Sequence, residues 1–310
     1  FCMGGSTTYG RPYADRVSFC GWLREYLKAA DATRNWEVIN AGGISFASYR
    51  VARLMNELKN YQPDLFIVYS GQNEFLEERS YGALANIPPW LINLNATLSG
   101  TRIYTVMKDM IDAVQSASCK QAQARNRLDG DVDEILNHTI GPESYHRDDE
   151  LKRQVTTHYR LNLMRMTRIA RSANAGMILV QPAINIKDMS PFKSAHREDL
   201  GEQAQRDWEE LFQHATDLHE AGDFSGALNA YREALAIDDR YADLHYRIGK
   251  SHFELQQYDK AEQAFRRAVE EDIAPLRILA SMQQIVEELS LIHISEPTRP
   301  RRQSRMPSSA

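Results

Sequence analysis

Between Trp208 and Asp272 the chain resembles itself at one fixed spacing, and no other feature constrains its fold as tightly. Ala215 aligns with Gly249, Phe224 with Tyr258, Ala227 with Ala261, Tyr231 with Phe265 and Ala234 with Ala268, each pair 34 residues apart. Small residues recur where two helices must approach closely, and aromatic residues recur where a gap beside them must be filled. Five matches at one period are too many for two unrelated amphipathic hairpins. A period of this length marks a stacked supersecondary unit that cannot bury its apolar face alone. Residues 204–272 are therefore expected to form two helical hairpins. Two units are fewer than such arrays usually need, so they are expected to lean on the rest of the chain.

The period and residue types resemble the tetratricopeptide repeat. Upstream the texture differs. Phe1–Met3, Glu37–Asn40, Leu65–Tyr69 and Met177–Gln181 are short apolar runs that read as buried strands. Between them, "YADRVSFCGWLREYLKAA" and "SYRVARLMNELKNY" carry apolar residues at three and four spacing, and the second stops before Pro63. Residues 83–135 read as mostly helical but poorly patterned. Asp148–Asn174 reads as a long helix leading into the fourth strand. Strands that are continuously apolar and alternate with helices predict a parallel sheet with helices on both faces.

A parallel sheet places its site at the carboxyl ends of its strands. Three loops fall there: "GGSTTYG" after the first strand, "NAGGISFAS" after the second and "YSGQNEF" after the third. Ser6 follows two glycines that permit a sharp turn. A serine, glycine-rich backbone amides and a carboxamide converging on one crevice are the parts of an acyl-transfer site. Phosphate binding is disfavoured, because neither a G-x-G-x-x-G run nor a Gly-rich loop followed by Lys is present.

On these loops the chain resembles the SGNH/GDSL hydrolase superfamily, in its tetratricopeptide-containing bacterial branch. "GGST" stands at the position of that family's GDS block, with Gly5 in place of Asp, and "GQN" at Gly71–Asn73 is similar to its G-x-N block. The resemblance implies a flavodoxin-like core, an ester or O-acyl substrate (a small molecule or a carbohydrate), Ser6 as nucleophile and Asn73 as side-chain oxyanion donor. It implies no cofactor or metal. It also implies a backbone donor from the second loop, either Gly43 or, by spacing from Asn40, Ser45. A different reading makes Ser45 the nucleophile of an α/β-hydrolase, since "GISFA" approximates G-x-S-x-G. That reading lacks the second glycine and leaves "GGST" and "GQNE" without a role. A third makes the hydrolase fold inert and the repeats a scaffold for a protein partner.

The family's remaining block, D-x-x-H, has no counterpart, because no Asp stands three residues before any of the nine histidines. His146 follows Glu143 at that spacing and reads as a surface residue. The stretch "DIAPLRILASMQQIVEEL" reads as a return to the hydrolase core, with Leu276, Ile278 and Ile285 expected to meet it. From Leu289 onward, "LSLIHISEPTR" and "SRMPSSA" read as translated sequencing adapter rather than protein. The expected organisation is thus a hydrolase core at 1–203, two repeats inserted at 204–272, a return to the core at 273–288 and an artefact at 289–310. A chain opening on Phe1 and closing this way is expected to be a piece of a longer reading frame, with the catalytic Asp and His beyond it. Setting the tail aside, with its four arginines and one glutamate, moves the net charge from −5 to −8. That acidity argues against a nucleic-acid partner. Three scattered cysteines and unclustered histidines fit neither a disulfide framework nor a zinc site.

Overall fold

The computed structural model describes residues 1–76 and 145–294, with side chains up to residue 290. The expected helices at 83–135 lie outside the described residues. Four parallel strands form one sheet in the order β2-β1-β3-β4. They are β1 (Cys2–Gly4), β2 (Asn40–Gly42), β3 (Leu65–Tyr69) and β4 (Gly176–Leu179). The second strand forms later in the chain than Glu37–Asn40. Its start is set by the Asn40 side chain, whose Nδ2 donates to Thr8 O (2.9 Å) and Asp15 Oδ1 (2.7 Å) while its Oδ1 accepts from the Gly42 N–H.

Helices lie between the strands. After a single turn, α1 (Ser6–Tyr9), comes α2 (Phe19–Ala30), whose N-cap Ser18 accepts the Gly21 N–H. Next comes α3 (Ser48–Leu58), and α4 (Asp149–Ser172) then starts on an Asp148 cap and leads into β4. Beyond β4 an irregular segment with bends at 186–189 and 192 leads to α5 (Glu202–Glu220), α6 (Phe224–Ile237), α7 (Ala242–Glu254), α8 (Tyr258–Glu271) and α9 (Ala280–Ile294).

Side chains alternate across β3, so Phe66 and Val68 face one way and Leu65, Ile67 and Tyr69 the other. The first face is thoroughly covered. Met3, Phe66 and Val68 are buried with Val51 and Met55 of α3, with Tyr159, Leu163 and Met166 of α4, and with Met282, Ile285 and Val286 of α9. Helices lie on both faces, but unevenly. On the second face α2 reaches Tyr69 through Phe19, but Leu65 stays 37% exposed and Ile178 47%. Among the described residues, helical cover there stops short of the β3–β4 edge.

The two hairpins form as the period requires. Ala215, Ala227, Tyr231, Ala234, Ala261, Phe265 and Ala268 are all buried. At Gly249 an added Cβ would fall 2.6 Å from the Phe265 ring, so the small residue is dictated by helix approach. The aromatic residue opening each second helix repeats its contact as well: Phe224 meets His219 edge-on, and Tyr258 meets Phe253 edge-on. Trp208, Ala227, Tyr231, Leu244 and Ile248 belong to a second core, separate from that of the sheet.

On the segment after the repeats, Ile278 and Ile285 are buried in the sheet's core, whereas Leu276 is only half-buried. The helix α9 continues past the expected end of the protein sequence. Leu289 is 5% exposed and packs in the same core. "LSLIHI" contains no Gly or Pro, so nothing in it stops a helix already started.

Candidate functional site

Parallel pairing brings the loops after β1, β2 and β3 to one edge of the sheet. Gly5 is the N-cap of α1, and Ser6 is the first helical residue. The Gly5 carbonyl accepts the Tyr9 N–H, and the Ser6 carbonyl accepts the Gly10 N–H. Ser6 is half-buried, and its hydroxyl bonds to none of the described residues.

Asn73 is carried to the same turn by the loop after β3, where Gly71 takes φ +135°. A Cβ at Gly5 would lie 2.3 Å from Asn73 Nδ2. The residue before Ser6 must therefore lack a side chain for the amide to lie against the turn, which accounts for Gly5 where the resemblance has Asp. Asn73 Nδ2 donates one hydrogen to Phe46 O at 3.2 Å. The amide has a second hydrogen to offer.

Gly43 does not join them as expected. Its N–H donates to Gly4 O at 3.0 Å, so it is spent in extending the β1–β2 ladder and is not a donor for a bound oxyanion. Phe46 also fills the space beside its Cα. Ser45, the alternative in this loop, is buried with φ 57°. A non-glycine residue in the left-handed region is uncommon, and such outliers gather at turns and functional loops. His146 is exposed, as a surface residue should be.

Beneath this edge lies a polar network that sequence spacing did not reveal. Glu74, directly after Asn73, is fully buried. Its carboxylate accepts the Ser48 N–H (2.8 Å) and the Ser48 hydroxyl (2.7 Å), capping α3. Ser48 Oγ in turn accepts from Asn162 Nδ2 at 3.0 Å, and His158 lies one helical turn away at 3.4 Å from that amide. Burial lifts the Glu74 carboxyl to about 7, against the pull of the two Ser48 bonds. Burial, with the charge of Arg165 second, pushes His158 down to about 4. The Tyr159 hydroxyl donates to Ser70 O at 2.9 Å, fixing the loop that carries Asn73. The signal for Glu74 was its place next to the carboxamide. Nothing in the pattern pointed to Asn162 or His158 beyond their four-residue spacing on α4.

Among the described residues no group of His, Cys, Asp and Glu is placed to hold a metal ion. No described helix is long and apolar enough to cross a membrane. Residues 218–280 match the tetratricopeptide repeat family. That match takes in the end of α5 and all of α6, α7 and α8, and does not extend to Ser6, Gly43 or Asn73. No solved structure matches the chain.

Proposed function

We propose that this chain is a protein-interaction module, in which tetratricopeptide-type helical pairs are mounted on an α/β body and present their helix faces to a protein partner. The match over residues 218–280 carries this reading. Repeats of this kind offer extended surfaces whose shape follows from nearest-neighbour stacking, and here the stacking is close at Gly249 and Phe265. Selection of a random peptide library on the immobilised chain tests it. Enrichment of sequences that are lost when Tyr246→Ala and Phe253→Ala are introduced on α7 is expected. Failure to enrich any sequence would end the reading.

A second reading is favoured by one observation, the Asn73 amide lying against Gly5, the residue before Ser6, at the carboxyl edge of a parallel sheet. It makes the body a flavodoxin-like, SGNH-type acyl hydrolase. Ser6 Oγ attacks the acyl carbon of an ester, and the Asn73 amide with a second-loop N–H holds the developing oxyanion. A base must take the hydroxyl proton, and no described residue is bonded to Ser6 Oγ, so the chain as it stands is expected not to turn over. The test uses a form carrying a D-x-x-H segment after residue 288, with p-nitrophenyl acetate as substrate. Ser6→Ala and Asn73→Ala are each expected to lower turnover by on the order of 100- to 1000-fold. A Ser6→Ala protein as fast as its parent would reject the hydrolase reading and leave the scaffold alone.

A further inference from the structure

Cys2 and Cys20 lie on different elements, β1 and α2, and both are free thiols. Side chains alternate across β1, and Met3 faces the core on the side of α3 and α4. Cys2 and Gly4 therefore face the other way, toward α2. Thr8 fills the space there: a Cβ at Gly4 would fall 2.2 Å from its Oγ1, and its carbonyl accepts the Cys20 thiol at 3.8 Å. On this side of β1 the Cys20 thiol also donates to the Cys2 sulfur. Cys2 is 1% exposed and Cys20 0%, so the two sulfurs meet sheltered from solvent. The third cysteine, Cys119, lies outside the described residues.

The bond from Cys20 holds the Cys2 thiol below its ordinary range, against the effect of burial, and keeps the Cys20 proton in place. The thiolate is the reactive form of cysteine, so Cys2 is the member that attacks an oxidant and Cys20 the member that resolves the product. Sulfurs already in hydrogen-bond contact need only a small movement to reach the S–S distance of about 2.05 Å. The chain between them carries Gly5, Ser6 and the turn α1, so a bond there closes a loop around the candidate site.

We propose that Cys2 and Cys20 are a modification site: a hydroperoxide joins them in a disulfide that locks β1 to α2 around the Ser6 turn, and a small thiol opens it again. The Cys2 thiolate attacks one peroxide oxygen, the O–O bond breaks, and the other oxygen takes up a proton and leaves as water or an alcohol. Cys2 is then a sulfenic acid. The Cys20 sulfur attacks the Cys2 sulfur, the S–O bond breaks, and the hydroxyl leaves as water with the Cys20 proton. Two thiols give up two electrons and two protons, and the peroxide takes up both. Opening is the exchange of the disulfide with an added dithiol. Burial shuts out bulky oxidants, whereas a hydroperoxide is small enough to enter when this edge opens locally. The site is independent of both functional readings.

The test exposes the full chain to hydrogen peroxide, blocks the remaining thiols with iodoacetamide and maps the tryptic peptides by mass. Arg11 precedes Pro12, so residues 1–16 carry Cys2 in one peptide, residues 17–24 carry Cys20 in another, and Cys119 falls in a third. The expected product joins 1–16 to 17–24, is two hydrogens lighter than the separate pair, and disappears with dithiothreitol. The oxidised chain should also melt roughly 5–10 °C higher, because the closed loop restricts the unfolded state. Absence of the joined peptide overturns the proposal, as does conversion of either thiol to a sulfinic acid in its place, or linkage of either to Cys119. A joined peptide with an unchanged melting temperature overturns the lock. In Cys20→Ser, Cys2 is expected to run on to the sulfinic acid, and a Cys2 that stays reduced there would overturn the order of attack.

Discussion

The sheet and the helical pairs build their cores in opposite ways. The core of the pairs is local: Trp208, Ala227, Tyr231, Leu244 and Ile248 all come from consecutive helices, each packed on its neighbour in sequence. The core of the sheet is not. Met3, Phe66, Leu163 and Met282 meet in one cluster, and the last of these lies on a helix that follows the repeats. Local contacts close short loops, whereas distant ones must first overcome the entropy of bringing far segments together. The pairs therefore form their fold from their own residues, and the sheet completes its first face only with α9. Between the two cores runs a polar seam, not an apolar one. Glu271, 4% exposed, accepts from Arg147 (3.0 Å), Arg240 (2.8 Å) and Arg267 (2.9 Å). Burial works to raise the Glu271 carboxyl, but the Arg240 bond, the charge of Arg267 and the Arg147 bond overcome it and hold the group below its ordinary range. Lys152 of α4 also reaches the Glu270 carbonyl and, at 3.0 Å, its carboxylate.

The seam offers the largest way to break this contrast. Asp272 is 1% exposed, accepts three backbone N–H groups and lies 3.6 Å from Arg277. Removing one member of a buried ion pair strands the other, at a cost of about 3–5 kcal/mol. Asp272→Ala should lower the stability of sheet and repeats together, because the carboxylate ties the end of α8 to the segment that follows β4. Hydrogen exchange resolved by segment checks this. Protection lost in α5–α8 alone would show the two cores to be independent.

Next in size is an effect confined to the sheet side. Glu74 holds a proton in the native state at pH values where an ordinary carboxylate has released it. Its stabilising contribution is whole in acid and is lost as pH rises through about 7, a change on the order of 3 kcal/mol. His158 has the opposite sign. Its folded value is pushed down to about 4, so its contribution is present at neutral pH and is lost as pH falls through that value. Glu74→Gln should remove the loss on the alkaline side and leave the acid-side loss in place. Melting temperatures taken between about pH 4 and pH 8 measure both. A Glu74→Gln profile parallel to the wild type above pH 5 would refute the assignment to Glu74.

What could be read beforehand follows the same division. The helical hairpins were legible because their packing demands repeat: Gly249 is small for the reason Ala215 is, and the period displays that reason twice. The strands were legible as apolar runs, with β3 at the expected residues and β2 displaced by the hydrogen bonds of one asparagine. That the loops carrying Ser6 and Asn73 open on one edge of the sheet was legible from their places after β1 and β3. The spent Gly43 amide was not, because whether a loop N–H extends the ladder depends on register, which composition does not encode. The buried Glu74–Ser48–Asn162 chain was hidden for a similar reason, since α4 reaches it from a distant part of the sequence.

A smaller effect should fall on the repeats. In Gly249→Ala the new methyl would meet the Phe265 ring at 2.6 Å, and overpacking of this kind costs about 1–3 kcal/mol. At Gly201, the N-cap of α5, a Cβ would meet nothing within 4 Å, so Gly201→Ala is expected to carry no overpacking cost and only the smaller loss of a favoured cap residue. Thermal melts of the two variants should therefore separate, and equal melting temperatures would mean that α7 and α8 are looser than their geometry implies.

The smallest effect gives the sharpest comparison, because it can be applied in matched form to both regions. Asp223 Oδ1 accepts the Gly226 N–H at 2.8 Å at the head of α6, in the repeats. Asp148 Oδ1 accepts the Leu151 N–H at 2.8 Å at the head of α4, against the sheet. Each cap satisfies one otherwise unpaired donor at an exposed helix start, and replacing such a residue by Ala costs about 1 kcal/mol. The chemistry, length and exposure of the two bonds are the same, so any difference between Asp223→Ala and Asp148→Ala reports the region and not the substitution. If the polar seam couples the cores into one cooperative unit, both variants should shift a single urea transition by the same amount, and Asp223→Ala, Asp148→Ala and the double variant should add. If the repeats open by themselves, Asp223→Ala should speed hydrogen exchange in α5–α8 and leave β1, β3 and α4 protected as before. The second outcome would make the seam a docking contact, and the repeats an array that holds its own fold.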